Sequence, residues 1–491
     1  MTISRRRFVE WAAAVSALSV SAPVRSRLAA AAIDDRAAGF RPDLLPTEKA
    51  VWDEQVWMAK LGPKYTGNKA HTTFVEFLAT QFKAAGCEIV RDTYRLPRWD
   101  ARRWEITVTP KSGQPFKAPV TSYFPYSGQT GPTGVTGELV FAGSSPTFSL
   151  TDLKGRVALI DFATATREWS RLYKPWGVNP AGETFPSAYR PARGGVNDLT
   201  QFQKAGAVAV ILAWTDISDG NAADQYTPFS RRPQGIPGLY VGRETASRLK
   251  AVAAAGAAST VVLEADVVPD TPTDTIIATL PGVSADEIVI VNTHTDGPNA
   301  TEENGALGIL ALARYFAKLP KNQRRRTLVF PLTTGHFAAP WVPSIRGVID
   351  KHPDLVQRAV AAVTVEHLGC REWLDDASMR YKASGKNEWS VAITPDRAMG
   401  EALVAALAGS RDRAAVVNPV NGGWLGEGSS LSRAGIPTIG YIPQPNYLLA
   451  GPADGCIDRL SPALMHSQIE VFARLLHAID GMDRAALKGQ A

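Results

Sequence analysis

The stretch EIVIVNTHTD (287–296) decides the fold class, because it joins an apolar run to a polar turn. The run at 287–292 has the nearly continuous apolar character of a strand buried on both faces, which is typical of parallel sheets. In open α/β sheets the ligand site lies beyond the carboxyl ends of the strands. The THTD turn (293–296) is therefore the first place where we expect functional side chains.

Apolar strands alternate with helices in the sequence that follows. The pattern predicts strands at 327–332, 360–365, 389–393 and 438–442, and helices at 305–319 and 461–479. Two further helices are predicted at 48–59 and 70–85, followed by short strands at 88–94 and 104–108. This alternation predicts an α/β fold in which helices sandwich a mostly parallel mixed sheet.

Residues 120–265 have a different character. Short predicted strands at 137–141, 157–161 and 207–212 are separated by long loops rich in Gly, Pro and Asn. The segment contains no acid/base cluster of its own, so we expect it to be a β-rich scaffold or lid. The Pro-containing segment VPDTP (268–272) is predicted to be the linker that follows it.

The first 32 residues have the pattern of an export signal. Paired Arg in SRRRFV (4–9) precede an apolar run at 11–22 and a small-residue stretch, LAAAA (28–32). This order is typical of a twin-arginine signal. No later segment has the ~18 consecutive apolar residues that a membrane span requires. We therefore expect a soluble protein that is exported to the cell envelope or the extracellular space.

Charge and cysteine content exclude two classes of function. The net charge is +6, but residues 1–31 hold five Arg and one Glu, so the rest of the chain is close to neutral. This balance does not indicate nucleic-acid binding. Three Cys cannot form a disulfide framework, and the absence of a CxxC pair argues against a thiolate zinc site and against dithiol redox chemistry.

Histidines and carboxylates follow three successive predicted strands. The candidate residues of these polar turns are His294, Asp296, Glu302, Glu303, His336, Glu366 and His367. Imidazole and carboxylate ligands without thiolate suit zinc in a catalytic site. The topology thus predicts a metal or acid/base site at one edge of the sheet.

These motifs occur in the order of a known family. THTD (293–296), EENG (302–305), TTGH (333–336), VEHLG (365–369) and AGIP (434–437) together resemble the co-catalytic zinc aminopeptidases. That family includes glutamate carboxypeptidase, glutaminyl cyclase and the catalytically silent transferrin receptor. The resemblance implies a peptidase-like domain formed by 40–118 and 268–482. Residues 119–267 resemble the protease-associated domain inserted in that family.

The resemblance also implies roles for individual residues. His294 matches the family's first zinc-ligand histidine, and Asp296 matches the aspartate that orients it. Glu303 matches the carboxylate that bridges two metals, and Glu366 matches a further carboxylate ligand. Cys370 and Cys456 lie in two loops that the family brings to the same rim, where one disulfide bridge is an open alternative.

The sequence departs from the family at three places. His336-Phe337 replaces a Glu-Glu pair, Ala450 replaces the last histidine ligand, and Glu427-Gly428 replaces an Asp-His pair. We therefore expect one zinc ion, with two as the alternative, and His336 as either a fourth ligand or the general base.

Three further residues are candidates either for an alternate ligand or for a group that contacts a ligand without binding the metal. They are Glu302, His367 and Glu427. Neighbours in a continuing strand point to opposite sides, so Glu366 is preferred over His367 as the ligand.

Two classes of function remain open from the sequence. The first is an exported, aminopeptidase-like, zinc-dependent hydrolase of peptide or amide bonds. The alternatives are a catalytically silent binding protein on the same scaffold and a single-zinc enzyme that is not a peptidase. The substrate and the oligomeric state are not determined by the sequence.

Overall fold

A computed structural model of the chain describes residues 39–193, 196–420 and 422–488. The predicted export signal at 1–32 lies outside the described residues. Within those ranges, no helix has the length and apolar character needed to cross a membrane.

The described residues form an α/β structure. The strands are β1 Glu88–Thr109, β2 Phe116–Ala118, β3 Ser122–Tyr123, β4 Val135–Ser144, β5 Val157–Phe162, β6 Arg167–Glu168, β7 Tyr173–Asn179, β8 Ala188–Tyr189, β9 Ala209–Trp214, β10 Gly238–Val241, β11 Ala258–Leu280, β12 Ser284–His294, β13 Arg326–Thr333, β14 Ala359–Val365, β15 Arg371–Asp375, β16 Tyr381–Asn387, β17 Ser390–Ile393, β18 Ala414–Pro419 and β19 Thr438–Pro443. The α-helices are α1 Glu48–Ala59, α2 Lys69–Ala84, α3 Trp169–Leu172, α4 Thr200–Lys204, α5 Asp219–Ala222, α6 Arg243–Ala254, α7 Gly305–Lys318, α8 Ile345–Lys351, α9 Pro353–Arg358, α10 Arg397–Ala406, α11 Gly428–Arg433, α12 Pro462–Gly481 and α13 Arg484–Leu487.

Four parallel strands form the centre of the main sheet and confirm the predicted fold class. They lie in the order β13, β12, β14, β19, with antiparallel strands on both sides. In their register, His294 is opposite Thr333 and Asn292 is opposite Thr364. The carboxyl ends of β12, β13 and β14 are therefore adjacent, and this adjacency brings their polar turns together.

Helix α7 is the centre of the largest apolar core. Its apolar residues are buried almost all round, and α1, α2 and α12 pack around it. A helix that is apolar on every side is stable only where other elements cover all of its faces. This packing fixes the amino end of α7, directly after Glu302 and Glu303, against the sheet.

The predicted linker at 268–272 is wrong, because β11 continues through it. β1 has 22 residues and β11 has 23, and the two pair along almost their whole length. Pro269 and Asp270 lie in a register shift, opposite the irregularity between Leu96 and Arg98. Proline is tolerated at such a bulge because the residue there does not donate to the ladder.

The block that follows β3 adds a second set of strands to the same sheet. β4, β5, β9 and β10 pair in parallel, and β4 joins them to β11. β7 leaves this block and pairs with β18 at the other end of the sheet. Residues 120–265 therefore contact the rest of the described chain on both sides of the strand ends that carry the polar turns.

The proposed disulfide bridge is not formed. Cys87, Cys370 and Cys456 are free and buried. The Sγ of Cys370 instead donates to the carbonyl of His367 at 3.0 Å. Burial raises the pKa of Cys456 to about 12, so its thiol remains protonated at neutral pH.

Glu388 gives a test of stability against pH. Burial raises the pKa of its carboxyl to about 8, against 4.5 for an ordinary Glu. The folded state therefore retains a proton that the unfolded chain loses above about pH 4.5. Between pH 4.5 and about pH 8, the free energy of unfolding of the wild type is therefore expected to fall as the pH rises, by up to about 1.4 kcal/mol per pH unit relative to Glu388→Gln. Urea unfolding at pH 5 and pH 8 measures the difference, and parallel curves for the two proteins would contradict it.

Candidate metal centre

The polar turns after β12, β13 and β14 bring three histidines together. The rings of His294 and His336 are stacked, with centroids 4.2 Å apart and an interplanar angle of 13°. His367 lies at a steep angle to His294, with centroids 6.2 Å apart. Their proximity follows from the adjacent carboxyl ends of three strands of one sheet.

Backbone carbonyls orient two of these imidazoles. Nδ1 of His294 donates to the carbonyl of Asp296 at 2.9 Å, and Nδ1 of His367 donates to the carbonyl of Pro443 at 2.8 Å. A carbonyl only accepts, so each Nδ1 carries a hydrogen and each neutral ring keeps its Nε2 lone pair free. Burial, followed by the charge of His336, lowers the pKa of His294 to about 4, so this ring is neutral.

The turn after β14 lets neighbouring side chains face the same space. The strand ends at Val365, and His367 has a left-handed backbone with φ of 58°. The premise that Glu366 and His367 point to opposite sides of a continuing strand is therefore wrong. A non-glycine residue in this conformation costs free energy, and such residues concentrate at functional sites.

Glu302 completes a convergent group of three ligand atoms. Its Oε2 lies 3.0 Å from Nε2 of His367. One ligand atom each from His294, Glu302 and His367 lies within 4.8 Å of the other two, and all three residues are buried. Among the described residues, Nε2 of His294, Nε2 of His367 and Oε2 of Glu302 have no hydrogen-bond partner.

This arrangement fits a divalent cation. Two imidazole nitrogens and a carboxylate oxygen are buried at short distances from one another, and buried polar atoms without a hydrogen-bond partner are costly. A zinc ion bound by two N atoms and one O atom would satisfy all three at once. Burial alone would raise the pKa of Glu302, but the positive charges of the neighbouring histidines, first that of a protonated His367, bring it below its ordinary value. Glu302 in turn raises the pKa of His367, and a bound cation would take the place of the proton on Nε2 of His367.

Glu303, which was predicted to bridge two metals, lies next to a lysine. Nζ of Lys64 is 2.6 Å from its Oε1, and both side chains are at most 1% exposed. The same ammonium donates to the carbonyl of Gly62 at 2.8 Å. Burial lowers the pKa of Lys64, whereas the adjacent carboxylate favours its charged form. Lys64 was not among the predicted site residues, because no local sequence pattern connects it with Glu303.

Asp296 has a different contact from the predicted one. Its backbone carbonyl, rather than its carboxylate, accepts from His294. The carboxylate accepts from Oγ1 of Thr66 at 2.5 Å and from the backbone N–H of Phe337 at 2.9 Å. It thereby connects the turn after β12 to the turn after β13. The role of the Asp296 carboxylate in orienting His294, which the family resemblance implies, stays a prediction.

His336 is held by Glu427. Its Nδ1 donates to Oε1 of Glu427 at 2.7 Å, and Oε2 of the same carboxylate accepts from Oγ of Ser344 at 2.8 Å. Burial alone would lower the pKa of His336, but the hydrogen bond and charge of Glu427 outweigh it and raise the pKa to about 9. The ring is thus an imidazolium at neutral pH, which suits a proton donor better than a general base.

Glu366 lies at the border of the triad. Its Oε2 is 3.8 Å from Nε2 of His294 and 3.9 Å from Nε2 of His367. Its Oε1 accepts from the backbone N–H of Glu427 at 2.9 Å. The two oxygens therefore face different partners, and only one is directed to the possible cation site. The prediction that Glu366 is a metal ligand stays a prediction.

The block formed by residues 120–265 contacts this site directly. The ring of Phe229 stacks on His336, with centroids 5.3 Å apart and an interplanar angle of 15°. Tyr226 packs against Phe337 with centroids 5.9 Å apart, and its backbone N–H donates to the carbonyl of Leu449. Aromatic side chains of the block thus cover the polar turn after β13.

No protein-family model matches this sequence, and no curated protein matches it. Solved structures do match the fold. A peptidase M28 precursor from Shewanella amazonensis is similar over 93% of this chain and 98% of that protein, with 15% identity and a TM-score of 0.65. A zinc aminopeptidase from Bacillus subtilis is similar over 88% of this chain and 94% of that protein, with 17% identity and a TM-score of 0.57.

A third solved structure gives the same result. An aminopeptidase from an Aneurinibacillus species is similar over 88% of this chain and 93% of that protein, with 16% identity and a TM-score of 0.54. These identities support a statement about the fold alone. The resemblance found in the motifs is confirmed at that level: the chain has the α/β fold of M28 peptidases and zinc aminopeptidases.

Proposed function

We propose that this protein is an exported zinc-dependent hydrolase of peptide or amide bonds, with a single-ion site. One observation carries the proposal. The buried ligand atoms of His294, Glu302 and His367 converge and have no hydrogen-bond partner among the described residues. The aminopeptidase-like fold supports peptides or amides as the substrate class. Export rests on the sequence of residues 1–32.

The surrounding residues have roles that follow from their contacts. A zinc ion at the triad would polarise the scissile carbonyl and acidify water. Oε2 of Glu366 faces the same space and is placed to accept a proton. His336, oriented through Nδ1 by Glu427, is placed to return a proton to the leaving amine. Phe229 of residues 120–265 stacks on the ring of His336 and covers part of it.

The ion pair of Lys64 and Glu303 favours one ion rather than two. A carboxylate that bridges two metals needs both of its oxygens, whereas Oε1 of Glu303 lies 2.6 Å from a buried ammonium. The ammonium supplies positive charge beside the triad. We therefore propose that Lys64 takes the place of a second cation.

Metal analysis combined with one variant tests the proposal. The purified protein, loaded with zinc and desalted, is expected to retain one ion per chain and to hydrolyse at least one of a panel of aminoacyl amides. His336→Ala is expected to retain the zinc and to lose hydrolysis by about 10²–10⁴-fold, the usual contribution of a positioned proton donor. The zinc content and kcat of both proteins are measured.

The alternatives make different predictions in the same experiment. A silent binding protein would retain no zinc after loading and desalting and would show no hydrolysis. A zinc enzyme that is not a peptidase would retain the ion and leave every aminoacyl amide intact. Full activity in His336→Ala would contradict the proposal that His336 donates a proton.

A further inference from the structure

A cavity of about 480 Å³ lies between the inserted block and the peptidase-like domain. The block contributes residues around α3, β8 and α5, and the domain contributes the β15–β16 hairpin and the turns at Trp389 and Gln444. None of the residues of the triad lines this cavity.

Aromatic side chains form one wall of the cavity. The rings of Trp169 and Tyr189 are stacked, with centroids 4.0 Å apart and an interplanar angle of 9°. Trp389 lies on the domain side and is 7% exposed. Flat aromatic faces attract alkyl chains and cations, because the face of the ring carries negative charge density.

Five acidic side chains form another part of the cavity wall. The acidic residues that line the cavity are Asp216, Glu372, Asp375, Asp376 and Glu388. Arg190 is the one cationic side chain among the described lining residues, and it lies 3.5 Å from Asp216. Glu372 pairs with Arg413 at 3.5 Å, and Asp376 pairs with Arg380 and Lys382 at 2.9 and 3.0 Å. Burial keeps the carboxyl of Glu388 protonated at neutral pH. Asp375 is thus the lining carboxylate that has no cationic partner among the described residues, and its charge favours a cationic occupant.

Two acceptor oxygens at this wall have no donor. Asn221 is 3% exposed, and among the described residues its Oδ1 has no hydrogen-bond partner. Oδ1 of Asp375 is also without a partner, whereas its Oδ2 accepts from Ser218 N–H at 3.1 Å and Asn221 Nδ2 at 3.0 Å. A ligand that brings several N–H donors would satisfy the acceptors that the protein leaves unpaired.

The cavity is connected to the candidate metal centre through one peptide unit. Gln444, which lines the cavity, directly follows Pro443, whose carbonyl orients His367. The triad and the cavity thus share this short segment, which is the basis for placing a substrate side chain in the cavity.

We propose that the cavity binds the ammonium or guanidinium group of a basic side chain, so that the hydrolase prefers substrates with that side chain. The preference rests on the proposed function, whereas cation binding rests on the cavity alone.

A pair of small probes tests cation binding without hydrolysis. Butylammonium carries the alkyl chain and amine of a lysine side chain, and 1-butanol is its neutral counterpart. Calorimetric titration of the zinc-loaded protein is expected to show about tenfold tighter binding of butylammonium, equivalent to about 1.4 kcal/mol. The binding is expected to weaken with added salt.

Two variants locate this binding in the cavity. Asp375→Asn and Glu372→Gln are each expected to weaken butylammonium binding several-fold while leaving 1-butanol unchanged. The matched control is Glu401→Gln, which removes a 55% exposed carboxylate on α10, outside the cavity. Thermal unfolding of each variant confirms that it is folded. Equal binding of the two probes, or unchanged binding in both cavity variants, would overturn the assignment.

Hydrolysis of matched amides tests the preference. Lysinamide is expected to show about tenfold higher kcat/KM than norleucinamide, equivalent to about 1.4 kcal/mol, and Asp375→Asn is expected to reduce this ratio. Equal hydrolysis of the two amides would overturn the substrate preference. Cation binding without hydrolysis of either amide would instead reject the proposed hydrolase and retain the cation site.

Discussion

Replacing Lys64 with methionine is expected to destabilise the folded protein by about 3–5 kcal/mol, the usual cost of removing one partner from a buried ion pair. Nζ of Lys64 lies 2.6 Å from Glu303, and neither side chain is more than 1% exposed. Without the ammonium, Glu303 remains buried and without a compensating charge. Urea unfolding of the wild type and the variant, both without metal, measures the difference.

A double variant is the control for this prediction. Lys64→Met combined with Glu303→Gln removes both charges and is expected to recover most of the lost stability, because residues of one ion pair are strongly coupled. If the double variant is as unstable as Lys64→Met alone, the loss comes from packing rather than from the unpaired carboxylate.

Replacing Glu302 with glutamine is expected to weaken zinc binding by more than about 100-fold, because even residues that only orient a ligand contribute 10–100-fold. Glu302 supplies the anionic ligand of the triad, and an amide oxygen is a much poorer zinc ligand. Competition with a zinc-binding dye measures the affinity. Activity is expected to fall with the zinc content.

Glu303, the residue next to Glu302, provides the matched comparison for zinc binding. The double variant Lys64→Met/Glu303→Gln leaves His294, Glu302 and His367 intact and is expected to retain one zinc ion. Loss of zinc in this variant, with zinc retained in Glu302→Gln, would assign the ligand role to Glu303, as the family resemblance implies.

The strand ends and the class of chemistry were predictable from local sequence. The observed strands at Ser284–His294, Arg326–Thr333 and Ala359–Val365 begin and end within a few residues of the predicted ones. Their apolar runs are buried on both faces, and this pattern is visible in sequence because nearly every position in each run is apolar. The rule that sites lie beyond the carboxyl ends of parallel strands then indicated the turns that hold the histidines.

The choice between adjacent residues was not predictable. Within two neighbouring pairs, Glu302–Glu303 and Glu366–His367, the side chain that enters the triad depends on backbone geometry at the turn. His367 enters it because its φ is 58°, a conformation that no sequence pattern indicated. Glu303 lies outside it because Lys64 is held next to it by paired backbone hydrogen bonds with Gly297.

The long strands β1 and β11 also separate what local sequence predicts from what it does not. Pro269 indicated a linker because proline breaks most strands, yet β11 continues through it at a register shift. The sequence by itself determined the α/β class, the order of the strands' polar turns and the residue types available for a metal. The tertiary structure alone decided which carboxylate faces the imidazoles, which one is paired with Lys64, and which aromatic and acidic residues enclose a second cavity. The physical reason is that periodicity records burial along one element, whereas these contacts join elements that are distant in sequence.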